Sequence, residues 1–141
     1  MNSWSSRTYR PIYTIPEAGL QRYVRLDHEF VGRAAYEAEV KGEGPKRRLV
    51  TMVVDPDPDA PADVIGDEPI WHDGEVVGWV TSGGYGHFVG RSIALGYVPS
   101  ELADPAGAGG AGYEIEIVGR RRPARLQPEP LHDPQGLRMR Q

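Results

Sequence analysis

Alternating apolar and polar positions dominate the chain after residue 45. In residues 113–118, YEIEIV, every second residue is aromatic or aliphatic, and Glu114 and Glu116 lie between them. This period of two is typical of a strand with one buried face. Other apolar runs predict further strands at residues 48–54, 69–72, 75–81, 92–98 and 122–126.

Turn signals separate these runs. Asp73-Gly74 lies between two of them and predicts a hairpin, because a type I′ turn needs positive φ at both central residues. Residues 55–63, DPDPDAPAD, predict a loop, since each proline removes a backbone donor. The pattern is that of a mostly-β protein, a small six-stranded antiparallel barrel of Greek-key type, because closure hides the sheet edges. A small sandwich is the alternative.

The first 44 residues follow a different pattern. Residues 1–10 are polar and predict a loose arm. Residues 22–26 alternate and predict one short strand. Residues 32–41, GRAAYEAEVK, predict the one helix, because they are rich in Ala and Glu and are followed by Gly42 and Gly44. We therefore expect an N-terminal arm and helix over residues 1–44, and a barrel domain with an extended tail over residues 45–141.

Composition and charge exclude several classes of function. The 141 residues carry a net charge of −4, which gives nucleic-acid binding no support. The absence of cysteine excludes disulfides, thiolate metal ligands and a cysteine nucleophile. No apolar run approaches the roughly 18 residues of a transmembrane helix, and the N-terminus lacks the apolar stretch of an export signal. We therefore expect a cytoplasmic protein with no membrane partner.

Candidate catalytic residues are sparse. The four histidines show no metal-ligand spacing, and we expect no metal site. Ser82, His87 and Asp73 could be assembled into a triad on paper. No G-x-S-x-G elbow surrounds Ser82, so we assign no catalytic residue to this chain.

Three polar features have both a functional and a structural interpretation. Residues 81–87, TSGGYGH, predict a glycine-rich loop whose N–H groups could hold an anion, although a tight turn between barrel strands explains them as well. Residues 120–122, three consecutive arginines, could face an anionic ligand or form a solvated hairpin turn. Glu17 is predicted to cap backbone donors near the start of a turn.

Two longer blocks carry a family resemblance. They are IPEAGLQRYVRLDHEFVGRAAY at residues 15–36 and HDGEVVGWVTSGGYGHFVGRSIALGYVPSELA at residues 72–103. In this order they resemble the C-terminal part of the glycine-cleavage T-protein (aminomethyltransferase) family, and most of all the folate-binding half of dimethylglycine and sarcosine dehydrogenases. PKRRLVTMVVD, DEPIW and GRRRPARLQPEPLHDPQG agree with it, so the resemblance covers about residues 11–138.

The resemblance implies a tetrahydrofolate-dependent one-carbon enzyme with several lobes, the last of them a small antiparallel barrel. Residues 15–36 would be the tail of the preceding lobe. The family's folate-contacting carboxylates lie upstream, one of them in an LRLEAG- or LRLEKG-type motif that this chain lacks. Glu17 matches a later motif, PLEAGL, so the pterin-binding role does not transfer to it. The resemblance offers no FAD site here, and leaves Arg25, Arg47 and Arg48 as candidates for contact with the folate in its cleft.

Two functions therefore compete. In the first, the chain is a C-terminal domain or subunit that completes a tetrahydrofolate site together with a folate-domain or dehydrogenase partner chain, or as a homo-oligomer, and is inactive alone. In the second, it is a non-catalytic β-barrel module that binds a partner protein.

Overall fold

The computed structural model describes residues 11–140, so the predicted arm at residues 1–10 lies outside the described part. One helix precedes six strands. The helix is α1 (Arg33–Lys41), and the strands are β1 (Arg47–Val54), β2 (Pro69–His72), β3 (Glu75–Gly86), β4 (Arg91–Pro99), β5 (Tyr113–Ile117) and β6 (Arg120–Gln127). Short 3-10 turns occur at Gln21–Tyr23, Ser100–Leu102, Ala108–Gly110 and Arg138–Arg140.

The six strands close into a barrel in the order β1-β4-β3-β2-β5-β6, and β6 pairs back with β1. Every pairing is antiparallel. Strands β2, β3 and β4 follow one another as hairpins, while β1 reaches its place beside β4 through the long connection at residues 55–68. This is a Greek-key arrangement. The predicted barrel is confirmed, and the sandwich alternative is excluded.

Both tight hairpin turns have the backbone that a type I′ turn requires. Asp73 and Gly74 have φ of 48° and 87°, which confirms the predicted turn between β2 and β3. Val118 and Gly119 have φ of 50° and 74° between β5 and β6. The second turn is therefore shorter than predicted, and residues 120–122 lie in β6.

The barrel core is built from the inward-facing residues of the strands and from one residue of the long connection. Val64 is fully buried among the strand residues. It packs on β3 at Gly83, where a Cβ would lie 2.6 Å from Val64 Cγ1. The connection thus contributes to the core and closes one end of the barrel. The buried core cluster comprises Met52, Val54, Val64, Ile70, Val80, Ala94, Val98, Tyr113, Ile115, Ile117, Ala124 and Leu126.

Two local predictions are wrong. Residues 22–26 form no strand; Gln21–Tyr23 is a single 3-10 turn, and the ladder position that β6 leaves open on β1 is taken by the Glu17 carbonyl instead. The segment 81–87 is not a loop, since β3 continues to Gly86 and its residues 82–86 pair with β4 from Arg91 to Leu95, after a register shift between Val80 and Ser82. The N–H groups that face β4 are therefore engaged in a strand ladder, and the predicted glycine-rich loop is absent from this stretch.

Helix α1 follows the prediction closely. It begins after Gly32, whose φ of 91° suits glycine, and Gly42 ends it. Glu37 accepts hydrogen bonds from Lys41 and Arg33, and these bonds lower the pKa of Glu37 to about 2. No helix in residues 11–140 is long and apolar enough to cross a membrane.

Candidate functional site

The N-terminal segment is joined to the barrel at the start of β1. Thr14 and Glu17 cap each other: the Thr14 N–H donates to Glu17 Oε2 at 3.0 Å, and the Glu17 N–H donates to Thr14 Oγ1 at 3.2 Å. This reciprocal pair is a capping box, and it confirms the predicted capping role of Glu17. The Thr14 hydroxyl also donates to Glu39 of α1 at 2.8 Å, so the turn and the helix are linked.

The main chain of Glu17 extends the hydrogen-bond ladder of β1. Alternate residues of a strand bond to opposite neighbours, and the Asp55 N–H bonds to the carbonyl of Pro123 on the β6 side. Leu49 has the same orientation, but β6 pairs with β1 only from Thr51 to Val54. The Leu49 N–H instead donates to the Glu17 carbonyl at 2.8 Å. The N-terminal segment therefore takes the ladder position that β6 leaves open.

An aromatic contact covers the outer face beside this bond. Tyr13 stacks on Tyr97 of β4 with a centroid separation of 3.6 Å and an interplanar angle of 11°. Tyr97 is only 1% exposed, although it lies on the outer face opposite Leu49 and Trp79. Trp79 remains 42% exposed. The guanidinium of Arg47 lies 5.5 Å from the Trp79 ring centroid and donates to the carbonyl of Val77.

A groove of about 800 Å³ lies on the other side of β1. It is lined by residues 48–51 of β1 and by residues 128–132 of the tail. The groove exists because Pro128 and Pro130 lack an N–H and cannot continue the β6 ladder along β1. Arg48 is exposed at this groove, and its guanidinium has no ion pair within residues 11–140. Polar side chains of Asp104, Gln127, Glu129 and His132 share the lining.

The structure separates the three arginines proposed for the folate cleft. Arg47 and Arg48 are consecutive in β1, so their side chains lie on opposite faces of the strand. Arg25 is exposed and pairs with Asp27 at 2.6 Å. Hydrogen bonds from His28 and Arg25 lower the pKa of Asp27. Of the three, only Arg48 lines the large groove; Arg25 lines a separate hollow of about 280 Å³.

Residues 120–122 are not a solvated turn. Arg120 pairs with Asp57 at 2.9 Å, and the Arg121 guanidinium lies 3.4 Å from the Trp71 ring centroid. Arg122 is 4% exposed and donates to the carbonyls of Ala60 and Ala62. Arg120 and Arg122 thereby hold the β1–β2 connection against the barrel. Sequence reasoning missed the Arg122 contacts, because their partners are main-chain carbonyls about 60 residues away.

The hypothetical triad is not assembled. Asp73 and His87 flank the 12-residue strand β3 at its opposite ends, which are separated by tens of ångströms at about 3.3 Å per residue. Ser82 is buried between them. The described part of the chain contains no group of three or more His, Cys, Asp or Glu side chains that could hold a metal ion.

Comparison with known proteins defines the class. Residues 47–133 match the family described as Glycine cleavage T-protein C-terminal barrel domain. The dimethylglycine dehydrogenase of Mus musculus is 40% identical over 117 residues, which are 82% of this chain and 12% of that enzyme. The aminomethyltransferase of Parasynechococcus marenigrum is 38% identical over 118 residues, 82% of this chain and 30% of that enzyme.

The fold agrees with these matches. The crystal structure of glycine cleavage system aminomethyltransferase T from Bartonella henselae superposes with a TM-score of 0.71 at 22% identity, covering 86% of this chain and 33% of that one. The class of protein is therefore a closed Greek-key barrel that follows a short helical segment. The chain belongs to the glycine cleavage T-protein C-terminal barrel family, and it spans less than a third of the length of these relatives.

Proposed function

We propose that this chain is the C-terminal barrel of a tetrahydrofolate-dependent aminomethyltransferase or of a dimethylglycine dehydrogenase-like one-carbon enzyme. In this proposal it completes a folate site together with a folate-domain partner and does no chemistry alone. Family membership and the activities for which the relatives are named support the enzyme class. The observation that carries the folate role is the guanidinium of Arg48 in the groove beside β1, which has no ion pair with any residue from 11 to 140.

The chemistry of the ligand explains why Arg48 is the strongest candidate. Tetrahydrofolate ends in a glutamate, whose carboxylates are ligands that a planar guanidinium binds with two parallel hydrogen bonds. Arg48 would bind these carboxylates without first breaking an ion pair. The Arg47 guanidinium lies over the Trp79 ring, and Arg25 forms an ion pair with Asp27. Each of these arginines would lose its contact on binding folate. We therefore propose Arg48 as the residue that contacts folate in the groove, and Arg47 and Arg25, which lie outside that groove, as weaker candidates.

The surface of the N-terminal segment supports a partner. Ile15 and Tyr23 are 40% and 64% exposed, and they line one hollow together with Val24 and Phe30. Grouped exposed apolar side chains mark interaction sites. The partner we propose is a folate-domain or dehydrogenase chain, with a second copy of this chain as the competing occupant. A cytoplasmic location stays a prediction.

Isothermal titration with tetrahydrofolate tests the proposal. We expect weak or no binding by the chain alone, and saturable binding once a folate-domain polypeptide of the family is added. Arg48→Met is expected to weaken binding by the mixture about tenfold, the loss expected for a hydrogen bond to a charged group. Lys46→Met is the matched control, because it removes one nearby positive charge that does not line the groove.

The interaction-module alternative predicts a different result. If the chain binds the folate-domain polypeptide while tetrahydrofolate affinity is the same with and without it, the barrel is a protein-binding module. If no binding is seen in either experiment, both functions are wrong for this partner class. The exposed apolar side chains are the observation that favours this second candidate.

A further inference from the structure

The chain after β6 leaves the ladder of β1 and reaches the turn between β3 and β4. β6 ends at Gln127. His132, five residues later, lies against Phe88 of the turn, with ring centroids 4.0 Å apart. Between these two points, residues 128–132 line the groove beside β1. The tail segment, which we define as residues 128–140, therefore supplies one wall of that groove.

Phe88 contacts two side chains of the tail segment. Besides the His132 ring, the guanidinium carbon of Arg138 lies 5.5 Å from the Phe88 ring centroid. A cation within about 6 Å of a ring centroid is attracted by the face of the ring. The Asp133 carboxylate accepts the N–H groups of Leu137 and Arg138 at 2.9 Å each. Both contacts with Phe88 are therefore made by one hydrogen-bonded turn.

The tail segment has no polar attachment to the barrel in the part of the chain that the structure describes. Among residues 11–140, no hydrogen bond or ion pair joins it to a strand or to a connection between strands. Pro128 and Pro130 have no N–H with which to extend the β6 ladder. Leu131 is half-buried beside the groove, and Phe88 stays 69% exposed. Apolar and ring contacts as exposed as these open more readily than a buried strand ladder.

We propose that Phe88 is a positioning residue for the groove of Arg48: its contacts with His132 and Arg138 hold the tail segment in place as a wall, and their release opens the groove. The inference rests on the proposed function for the identity of the ligand, whereas the attachment of the tail can be measured without a ligand. A ligand seated between β1 and the tail touches both walls, so ligand binding and tail closure favour each other. Without the Phe88 ring, part of the binding free energy is used to order the tail.

Nuclear magnetic resonance of the ligand-free full chain tests the attachment. We expect nuclear Overhauser contacts between the Phe88 and His132 rings, and His132 signals displaced by the ring current of Phe88. In Phe88→Ala the His132 signals should move to the positions of a free imidazole, whereas Phe88→Tyr keeps a ring and should keep the displacement. Phe30→Ala is the matched control, because it removes the other phenylalanine of the chain, which contacts His28 and lies outside the tail segment. This control should leave the His132 signals unmoved.

Isothermal titration of the mixture with the folate-domain polypeptide tests the effect on the groove. Phe88→Ala should weaken tetrahydrofolate binding about threefold to tenfold, the effect of one lost aromatic contact, and Phe88→Tyr should restore it. If Arg48→Met weakens binding and Phe88→Ala does not, this inference is wrong and the proposed function stands. His132 signals that stay unmoved in Phe88→Ala would also overturn the inference, whatever the affinity. If the unaltered mixture binds no tetrahydrofolate, the proposed function fails and the effect of the tail on binding fails with it.

Discussion

The contact between Tyr13 and Tyr97 allows a sharp test of how the N-terminal segment is held. The Tyr13 ring stacks on Tyr97, but its hydroxyl is buried without a hydrogen-bond partner in residues 11–140. Tyr13→Phe keeps the ring and removes the unsatisfied group. Leaving such a group buried costs about 1–3 kcal/mol. We therefore expect Tyr13→Phe to leave the free energy of unfolding unchanged or to raise it by up to about 1 kcal/mol, because the residue is only partly buried.

Tyr13→Ala removes the ring as well. Full burial of a large apolar side chain contributes about 1.5–3 kcal/mol, and aromatic stacking adds about 0.5–1.5 kcal/mol. Tyr13 as a residue is half-buried, so we expect a loss of about 2 kcal/mol. The loss should be concentrated in the N-terminal segment, since the barrel strands close without it.

Urea unfolding gives the free energies, and hydrogen exchange locates the loss. In Tyr13→Ala the amides of residues 14–20 and of Leu49 should exchange faster, while those of β5 should keep their protection. Tyr13→Phe should show the exchange pattern of the unaltered chain. A loss of more than about 0.5 kcal/mol in Tyr13→Phe would show that the hydroxyl makes a favourable bond, and would refute the reasoning.

Three further outcomes are expected. The purified chain should form methylenetetrahydrofolate at no more than the background rate. Efficient transfer needs a positioned carboxylate and a closed cleft around the reacting atoms, and neither is assigned to this chain. A rate well above background would contradict this. Lowering the pH from 5 towards 2 should speed hydrogen exchange in α1. The pKa of Glu37 is about 2 in the folded chain and 4.5 in the unfolded one, so the stability that its carboxylate contributes above pH 4.5 is lost as the pH falls towards 2. Glu37→Gln should abolish this pH dependence. Gly83→Ala should lower the free energy of unfolding by about 1–3 kcal/mol, because its Cβ would overlap Val64; equal stability in denaturant would show that the connection shifts freely.

Local alternation and turn chemistry made most of the barrel predictable. The YEIEIV pattern reports directly which face of β5 is buried, and Asp73-Gly74 specifies its turn through backbone conformations that few residues adopt. The stretch from Ser82 to Gly86 was mispredicted for a physical reason. Glycine weakens an isolated strand, but here Gly83 is required because Val64 side-chain and backbone atoms occupy the space of a Cβ.

The candidate site was less predictable than the fold. The resemblance grouped Arg25, Arg47 and Arg48, yet strand geometry places two of them on opposite faces and an ion pair holds the third elsewhere. The availability of Arg48 depends on where β6 ends, which only the register of β1 with β6 reveals. Arg122 was equally hidden, since its partners are carbonyls of a distant connection. Local sequence carries no signal for contacts of this kind.

The hydrogen bond from Leu49 N–H to the Glu17 carbonyl affects where an independently folding fragment of this chain should begin. The match to the barrel-domain family begins at residue 47, which suggests cutting the polypeptide there. A fragment so trimmed would lose the acceptor of Leu49 and uncover the face of Tyr97 that Tyr13 shields. The smallest piece that keeps its ladder and its outer face intact therefore starts before Tyr13. A fragment or graft made from this barrel should therefore keep the segment from Tyr13 to Glu17, even though it lies before the first residue of the barrel-domain match.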